Sequence, residues 1–325
     1  MRCGIIGCGA IAHKRVAALS GCVLTVCCDV SRARAEALAH EYPGARASTD
    51  WCDVIQADDV DLVIVSTPHD TLAEIAFGAA TAGKHVLIEK PGARRACELD
   101  SALEASRRTG ALVRIGFNHR YHRAFRKARG ILEEGRLGDL MFIRGRYGHG
   151  GRRGYEKEWR ADPQRSGGGE LLDQGVHLID LARWFLGDFV RVQAHIATYY
   201  WDMAVEDNGF LLLTTRQGNA AFLHATWTEW KNMFSFEIYG RHAKLSIDGL
   251  GGSYGTERLT CCELTPEMGP PITTIWEYPM ADDSWAVEFA TFLEDIRLQR
   301  TPSPGIPDAQ AALRIVEHVY QETLR

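Results

Sequence analysis

The sequence predicts an α/β protein in which a doubly wound parallel sheet precedes an α+β domain with a large open, mostly antiparallel sheet. Three observations support this fold class. Short β-branched runs alternate with helical segments through the first third of the chain. Long alternating strand patterns dominate much of the rest. The 325 residues also exceed the roughly 250 to 300 at which a single core stops growing, so two domains are expected.

The first third has the pattern of a β-α-β-α-β fold. Apolar, β-branched runs predict strands at 3–7, 23–28, 62–67, 85–89 and 112–117. Segments between them, such as 31–42 and 96–110, are rich in Ala, Leu, Glu and Arg and predict helices. Because helices that alternate with strands make those strands parallel, we expect one parallel sheet covered on both faces.

The pattern changes after residue 121. The remaining elements are predicted as a helix at 122–134, a strand at 140–147, a glycine-rich charged loop at 148–169, a helix at 170–186, antiparallel strands within 210–228 and 234–249, and helices at 284–298 and 308–324. We therefore place one domain at 1–120 and a second at 121–325.

Composition and charge favour a small-molecule partner. The formal net charge of −5 is spread along the chain, which argues against binding to nucleic acid or to an anionic membrane. No segment reaches the roughly 18 apolar residues of a membrane span, and no charged leader precedes the first apolar run. The nine cysteines have no Cys-x-x-Cys spacing and lie mostly in apolar runs, so we expect reduced core thiols in a cytoplasmic protein.

Several kinds of catalytic site are excluded by motifs that the sequence lacks. It has no Gly-x-Ser-x-Gly elbow of the serine hydrolases and no Walker phosphate-binding loop. His119, His122 and His149 lack cysteine or carboxylate partners at a metal-binding spacing. We therefore expect no metal site and interpret all three as surface histidines.

The stretch "GCGAIA" at 7–12 follows the first predicted strand and opens a helix. Gly7 would make the turn, Gly9 would let a pyrophosphate approach the backbone, and the small Ala12 would let helix and strand pack closely. Amides at the helix N-terminus would then face the phosphates. A tight corner that binds nothing is the alternative for so short a motif.

Asp29 favours the binding interpretation. It ends the second predicted strand, twenty residues after Gly9, where a carboxylate can accept both hydroxyls of an adenosine ribose. A carboxylate also repels a ribose 2′-phosphate, which favours NAD over NADP, although Arg32 could stack on adenine or pair with a phosphate. We therefore predict a Rossmann dinucleotide-binding domain at 1–120.

Two further clusters carry candidate catalytic groups. Lys90 lies at the carboxyl end of the fourth predicted strand, the edge at which open parallel sheets bind ligands. The alternative is a lysine that extends its charge to solvent. Asp173 and His177 are four apart on a predicted helix and would share a face, with Asp180 further along it. A carboxylate beside an imidazole suits a general base, and a purely structural helix pair is the alternative.

Four motifs in order carry a resemblance to a known family. They are "GCGAIA" at 7–12, "TP" at 67–68, "EKP" at 89–91, and "GGG" followed by "DQGVH" within 167–177. With them, the chain resembles the glucose-fructose oxidoreductase/inositol dehydrogenase/rhizopine-catabolism (Gfo/Idh/MocA) oxidoreductase family over essentially its whole length. The resemblance implies a Rossmann domain, an open-faced sheet domain, and a nicotinamide held between them.

The resemblance also implies roles for individual residues. The Lys90–Pro91 peptide would be cis. His177 would take the proton of the substrate hydroxyl, Asp173 would orient it, and Lys90 would hydrogen-bond the same oxygen. The cofactor-binding residues would be Gly7, Gly9, Ala10, Ile11, Ala12, Asp29, Val30, Arg32, Thr67, Pro68, His69, Leu72, Glu89 and Lys90. The substrate-binding residues would be Asn118, Arg120, Trp159, Arg160, Gln174 and Asp180.

The chain departs from the family pattern near the cofactor. Many members have Asn and His where this chain has His69 and Leu72, and many have a His in the first helix near Arg15. These positions line the cofactor in relatives. The resemblance therefore implies less about the nicotinamide contacts than about the reaction.

The predicted function is hydride transfer between NAD and a secondary hydroxyl of a sugar, nucleotide sugar, sugar phosphate or cyclitol. A glycosidase or epimerase that retains its NAD, and a non-catalytic dinucleotide or sugar sensor, remain alternatives.

A basic loop precedes the predicted catalytic helix and could bind an anionic part of the substrate through Arg152, Arg153, Lys157 and Arg160. A mobile loop or a subunit contact is the alternative. The resemblance implies that 121–325 is a substrate-binding and oligomerisation domain and that the protein is a homodimer or homotetramer, because large open sheets in this family usually bury one face against another subunit. An outward apolar sheet face would itself demand cover.

Overall fold

The chain forms two units, each assembled from separated segments. In the computed structural model, which describes residues 1–266 and 268–323, the first unit comprises Met1–Phe117, Gln164–Gly167 and Trp285–Leu313. The second unit comprises Asn118–Pro163, Gly168–Ser284 and the described residues from Arg314 on. The sequence predicts a single crossing at residue 120, whereas the chain returns to the first unit twice after that point.

The helices of the described residues are α1 Ala10–Ala17, α2 Arg32–His40, α3 Cys52–Ile55, α4 His69–Thr81, α5 Asp100–Thr109, α6 Arg123–Glu133, α7 Pro163–Ser166, α8 Val176–Leu186, α9 Ser284–Leu298 and α10 Ile306–Thr323. Short 3₁₀ turns lie at Ala96–Leu99, Asn118–Tyr121, Tyr155–Lys157 and Trp159–Ala161, and a π-helical turn lies at Leu171–Gly175.

A six-stranded parallel sheet, in the order β3-β2-β1-β4-β5-β6, forms the centre of the first unit. Its strands are β1 Arg2–Ile6, β2 Val23–Cys28, β3 Arg46–Ser48, β4 Leu62–Val65, β5 His85–Glu89 and β6 Val113–Gly116. The five predicted strands are confirmed, and β3 is an additional edge strand too short to show a pattern. The strand order reverses between β1 and β4, and at such a switch point open α/β sheets bind ligands beyond the carboxyl ends of their strands.

The core of the first unit joins residues from both ends of the chain. Ile5 of β1 and Ile64 of β4 are fully buried between helices. Phe289 and Phe292 of α9 pack in the same apolar cluster and are almost completely buried. Because burial of one such side chain contributes roughly 1.5 to 3 kcal/mol, α9 is an integral part of this core.

An eight-stranded sheet, in the order β14-β13-β12-β11-β7-β10-β9-β8, forms the second unit. Its strands are β7 Leu140–Gly148, β8 Phe189–Ala197, β9 Asn208–Thr215, β10 Ala220–Thr226, β11 Met233–Gly240, β12 Ala243–Asp248, β13 Glu257–Glu263 and β14 Ile272–Tyr278. All neighbours are antiparallel except β7 and β10, which confirms the mostly antiparallel sheet.

One face of this sheet is packed and the other is exposed. Side chains of β11 alternate between buried and partly exposed along the strand. On the packed face, Leu178 of α8 lies against Gly145 of β7, where an added Cβ would come within 3.2 Å of it. The opposite face presents Phe142, Leu212 and Phe222, which are 36%, 40% and 49% exposed.

Among residues 1–266 and 268–323, no helix combines the length and the apolar character that a membrane crossing requires. All nine cysteines fall in this part of the chain as free thiols, and five of them are buried. Burial raises the pKa of the Cys27 thiol to about 11 and that of Cys28 to about 12. These two groups are therefore protonated at neutral pH, as expected of structural core thiols.

Candidate active site

The loop after β1 lets a ligand approach the backbone closely. Gly7 has a φ of +90°, and a Cβ there would lie 2.6 Å from the carbonyl oxygen that follows β4, so only glycine fits. A Cβ at Gly9 would meet nothing within 4 Å, which indicates open space beside the first turn of α1. Ala10 and Ile11 form that turn, and Ala12 is fully buried behind it. These features fit a pyrophosphate at the helix N-terminus.

The Asp29 carboxylate is held beside this loop at the end of β2. Its Oδ2 accepts the backbone N–H of Cys8 at 2.8 Å, and its Oδ1 accepts that of Ser31 at 2.8 Å. Each oxygen has a further lone pair, so the carboxylate fits the two hydroxyls of a ribose. Val30 is 94% exposed, and the exposed Arg32 pairs with a glutamate one turn along α2 at 3.6 Å.

Four further expected cofactor residues lie at the start of α4 or just before it. Thr67 and Pro68 are half-buried, and the Thr71 hydroxyl donates to that of Thr67 at 2.8 Å. The Nδ1 atom of His69 lies 2.8 Å from a backbone carbonyl oxygen of α7, and the His69 side chain is buried. Leu72 is fully buried on the inner side of α4. The two departures from the family pattern, His69 and Leu72, are thus packed side chains.

The end of β5 is fixed by a buried ion-pair cluster. The Arg15 guanidinium pairs with Glu89 and with Glu288, and its centre lies 4.4 Å from the ring of Trp285. Burial raises the pKa of Glu288, and the positive charge of Arg15 opposes that shift. Lys90, which follows Glu89, is half-buried. The Lys90–Pro91 peptide is cis, which confirms the expectation of a cis bond there. The role of Arg15 was not predicted, because its partners lie far along the chain.

The triple glycine of the sequence motif is a place where two backbone segments touch. A Cβ at Gly169 would lie 1.9 Å from the carbonyl oxygen of Glu206, and one at Gly168 would lie 2.1 Å from the hydroxyl of Tyr320. The buried Glu206 carboxylate accepts the N–H groups of Gly169 and Leu171 at 3.0 and 3.1 Å, and the Tyr320 hydroxyl at 2.8 Å. Burial raises the pKa of Glu206, and these hydrogen bonds oppose the shift. Glu206 thereby caps the segment that carries Asp173.

That segment is not the single α-helix predicted over 170–186. Leu171–Gly175 is a π-helical turn, and α8 begins after it. Asp173 lies within this π-helical turn, and His177 is the second residue of α8. Asp173 is buried, and its Oδ2 accepts the Nε–H of Arg160 at 2.9 Å. Arg160, expected to bind substrate, therefore holds the carboxylate of Asp173.

A second histidine lies against the ring of His177. The His119 and His177 rings are stacked, with centroids 3.7 Å apart and planes inclined by 20°. His119 is 5% exposed, and His122 is 3% exposed with its Nδ1 3.0 Å from Glu257. The interpretation of these two as surface histidines was wrong, because the turn Asn118–Tyr121 and the start of α6 pack within the second unit. His149 is half-buried.

Further expected substrate residues are engaged in contacts within the second unit. Arg120 donates from Nε to the Oδ2 of Asp180 at 2.8 Å and from Nη2 to Oδ1 at 2.5 Å, and both side chains are buried. The amide nitrogen of Asn118 donates to the Ser284 hydroxyl at 3.0 Å. Gln174 of the π-helical turn is half-buried. The ring of the half-buried Trp159 lies 4.6 Å from the Arg160 guanidinium.

The basic loop is partly neutralised by acidic side chains. Arg152 pairs with Glu158 at 2.6 Å, and Arg160 lies 3.8 Å from the same glutamate. Arg153 and Lys157 are exposed. Two of the four basic residues proposed to bind an anion are thus paired within the chain. In the described residues, no group of three or more His, Cys, Asp or Glu side chains is arranged to hold a metal ion.

The curated proteins that are at least 30% identical to parts of this chain include two dehydrogenases. A levoglucosan dehydrogenase of Pseudarthrobacter phenanthrenivorans is 32% identical over 190 residues, which are 55% of this chain and 47% of that protein. An inositol 2-dehydrogenase 2 of Saccharopolyspora erythraea is 30% identical over 226 residues, 67% of this chain and 64% of that protein. The chain therefore spans about half to two thirds of the length of these relatives. A scyllo-inositol 2-dehydrogenase (NAD(+)) of Bacillus subtilis is 25% identical over 97% of this chain and 92% of its own.

Structural and family comparisons agree with the fold. A solved structure of levoglucosan dehydrogenase in complex with NADH superposes with a TM-score of 0.89 at 23% identity, covering 99% of this chain and 97% of that one. Residues 1–117 match the model of an oxidoreductase family with an NAD-binding Rossmann fold, and residues 125–246 match the GFO/IDH/MocA C-terminal domain. The chain therefore belongs to the Gfo/Idh/MocA oxidoreductase family, and its first unit is the NAD-binding Rossmann domain.

Proposed function

We propose that the protein is an NAD-dependent dehydrogenase or ketoreductase that acts on a secondary hydroxyl of a sugar or cyclitol. One observation carries the proposal. In a chain whose first unit is an NAD-binding domain, the second unit holds a buried imidazole, His177, next to a π-helical turn that carries the buried carboxylate of Asp173. π-helical turns are frequent at functional sites, and the one that carries Asp173 directly precedes the helix that carries His177.

In the proposed mechanism, His177 accepts the proton of the substrate hydroxyl. Asp173 stabilises the imidazolium that results, and its ion pair with Arg160 holds the carboxylate in position. Lys90 donates a hydrogen bond to the substrate oxygen as it gains carbonyl character. In the reductive direction these residues return the proton to the same oxygen.

NAD, when bound, supplies the acceptor for the hydride that leaves the substrate carbon. The loop Gly7–Ala12 would hold its pyrophosphate through the first amides of α1, and Asp29 would accept its ribose hydroxyls. A carboxylate at Asp29 disfavours a ribose 2′-phosphate, so NADP is the less favoured cofactor.

The pairing of the arginines supports a neutral substrate ring. Arg120 and Arg160 are each bound to a buried carboxylate, and Arg152 is paired with Glu158. A sugar phosphate or nucleotide sugar would need cations not already balanced by acids. Relatives named for inositol and levoglucosan agree with a hydroxyl-rich, uncharged ring. If Arg153→Ala raises the KM for an anionic substrate several-fold, the loop binds anions and the neutral class is wrong.

Absorbance of reduced nicotinamide tests the reaction. Purified protein is mixed with NAD or NADP and with inositols, anhydrosugars, aldoses, sugar phosphates and nucleotide sugars. We expect an NAD-dependent rise with a cyclitol or neutral sugar, lost in Lys90→Ala and His177→Ala. Lys231→Ala, which removes an exposed lysine, is the matched control and should retain the rate. A new sugar product without net reduction would instead indicate an enzyme that retains its cofactor. Binding without turnover would indicate a sensor.

We also propose that a second copy of the chain covers the outer face of the eight-stranded sheet. Phe222 pairs across strands with Arg144 on one side and Leu212 on the other, so these side chains form one row of the exposed face. Sedimentation should show a dimer or tetramer that Phe222→Asp dissociates, because the substitution would bury a charge at the contact. Phe77→Asp, at an exposed phenylalanine of α4, is the control.

The thiol state of the core cysteines supports a cytoplasmic location.

A further inference from the structure

The stacked imidazoles of His119 and His177 form a pair that the reaction proposed above does not require. Both side chains are buried, and their ring centroids are 3.7 Å apart. The His119 ring also packs against the rings of Tyr147 of β7 and Phe234 of β11, with centroid distances of 5.3 and 6.0 Å. The His119 ring is therefore fixed from several sides and covers one face of the His177 ring.

A hydrogen bond sets the position of the His119 proton. The Nδ1 atom of His119 lies 3.2 Å from the amide oxygen of Asn118. That oxygen faces His119 because the amide nitrogen of Asn118 donates to the Ser284 hydroxyl at 3.0 Å. An amide oxygen only accepts, so Nδ1 carries the hydrogen and any additional proton on His119 would enter at Nε2.

Charged and titratable groups surround the pair on every packed element. They are Tyr147 with Tyr254 beyond it, the buried carboxylate of Glu170 that acts on Tyr147, His122 with Glu257 and Asp282, the ion pair of Arg120 and Asp180, and the ion pair of Asp173 and Arg160. Each arginine is balanced by a carboxylate. A proton on His119 would lie on the ring that is stacked against His177, with the two ring centroids 3.7 Å apart.

We propose that His119 is a positioning residue for His177 and that the two stacked rings hold at most one added proton near neutral pH. Two positive charges within about 4 Å repel strongly in a buried site, so the two imidazoles titrate as a coupled pair. A proton on His119 thereby lowers the pH at which His177 becomes protonated, compared with an isolated buried imidazole. The catalytic part of this inference rests on the proposed role of His177.

Histidine NMR tests the coupling without any substrate. The protein is labelled with ¹³C and ¹⁵N at histidine, and the His177 signals are assigned by their loss in His177→Ala. In the unsubstituted protein, the His119 and His177 signals should each show two inflections over pH 4 to 9. His119→Phe keeps a flat ring but removes the second charge, so the His177 midpoint should rise by about one pH unit or more. His318→Phe, a half-exposed histidine of α10, should leave that midpoint unchanged.

The pH profile of turnover tests the link to the reaction. The acid limb of kcat/KM for alcohol oxidation should move upward in His119→Phe by the same amount as the NMR midpoint. Independent single inflections in the unsubstituted protein would overturn the coupling, even if His119→Phe failed to fold. An NMR shift without a shift in kcat/KM would overturn the catalytic role of His119. If His177→Ala then also kept full turnover, the failure would lie in the proposed function and not in the coupling.

Discussion

Replacement of Gly169 by alanine should separate two backbone segments that the fold holds in contact. The added Cβ would lie 1.9 Å from the carbonyl oxygen of Glu206, where ordinary contact begins at about 3.4 Å. The segments must therefore move apart by about 1.5 Å. Since the obstacle is backbone and not a flexible side chain, no rotamer change relieves the clash.

The movement breaks hydrogen bonds that hold the π-helical turn. The N–H of Gly169 donates to the Glu206 carboxylate at 3.0 Å, and the N–H of Glu170 donates to the Glu206 carbonyl oxygen at 3.0 Å. Leaving these buried groups unpaired costs roughly 3 to 6 kcal/mol in total. At roughly 2 to 4 °C per kcal/mol for a unit of this size, the melting temperature should fall by about 6 to 24 °C. Turnover should be lost as Asp173 shifts.

Differential scanning calorimetry of the unsubstituted protein and Gly169→Ala measures this loss. Gly130→Ala is the matched control, because Gly130 lies within α6 and an added Cβ meets nothing within 4 Å. That variant should be as stable as the unsubstituted protein or more stable by up to about 1 kcal/mol. A Gly169→Ala protein that melts within two degrees of the unsubstituted one, with normal turnover, would refute the reasoning.

Three further outcomes follow from the same structure. His177→Ala should abolish turnover while calorimetric affinity for NAD stays near that of the unsubstituted protein; a collapse of NAD affinity would instead make α8 a structural helix. Gly7→Ala should lose NADH binding, measured by fluorescence, because its φ of +90° and its approach of 2.6 Å to a carbonyl oxygen exclude a side chain. Burial raises the pKa of Tyr254 to about 12, so between pH 10 and 12 the unfolded phenol has lost its proton while the folded one keeps it. Unfolding then releases a proton, so this group should lower the free energy of unfolding by about 1.4 kcal/mol for each pH unit of increase. Denaturant titrations should find a smaller slope in Tyr254→Phe.

Local sequence signals predicted the parts of the fold that local physics determines. The turn at Gly7 needs a residue without Cβ, and β1 and β2 are apolar runs bounded by polar residues. The turn and the two strands could therefore be predicted from the sequence. The edge strands β8 and β14 were missed, because strands with little burial on either face show weak alternation. The neighbouring strand β13 was also missed, although its side chains alternate between buried and exposed.

The candidate site was predicted less completely, for a physical reason. Spacing identified Asp173 and His177, but their partners Arg160 and His119 are chosen by packing between segments distant in sequence. A histidine with no acidic neighbours along the chain looks like a surface residue whether or not a sheet covers it. The π-helical turn was also missed, because a single turn of five residues is too short to change the apolar periodicity of the helix that follows it.

The assembly of the first unit from three segments has a consequence during synthesis. Residues Met1–Phe117 leave the ribosome long before Trp285–Leu313, which bring Phe289 and Phe292 to the same core and Glu288 to Arg15. At roughly 5 to 20 residues per second, the sheet waits about 10 to 40 seconds for α9. During that interval its apolar surface is uncovered and Arg15 lacks one of its carboxylates. The nascent Rossmann sheet is therefore the stage at which a chaperone would be needed.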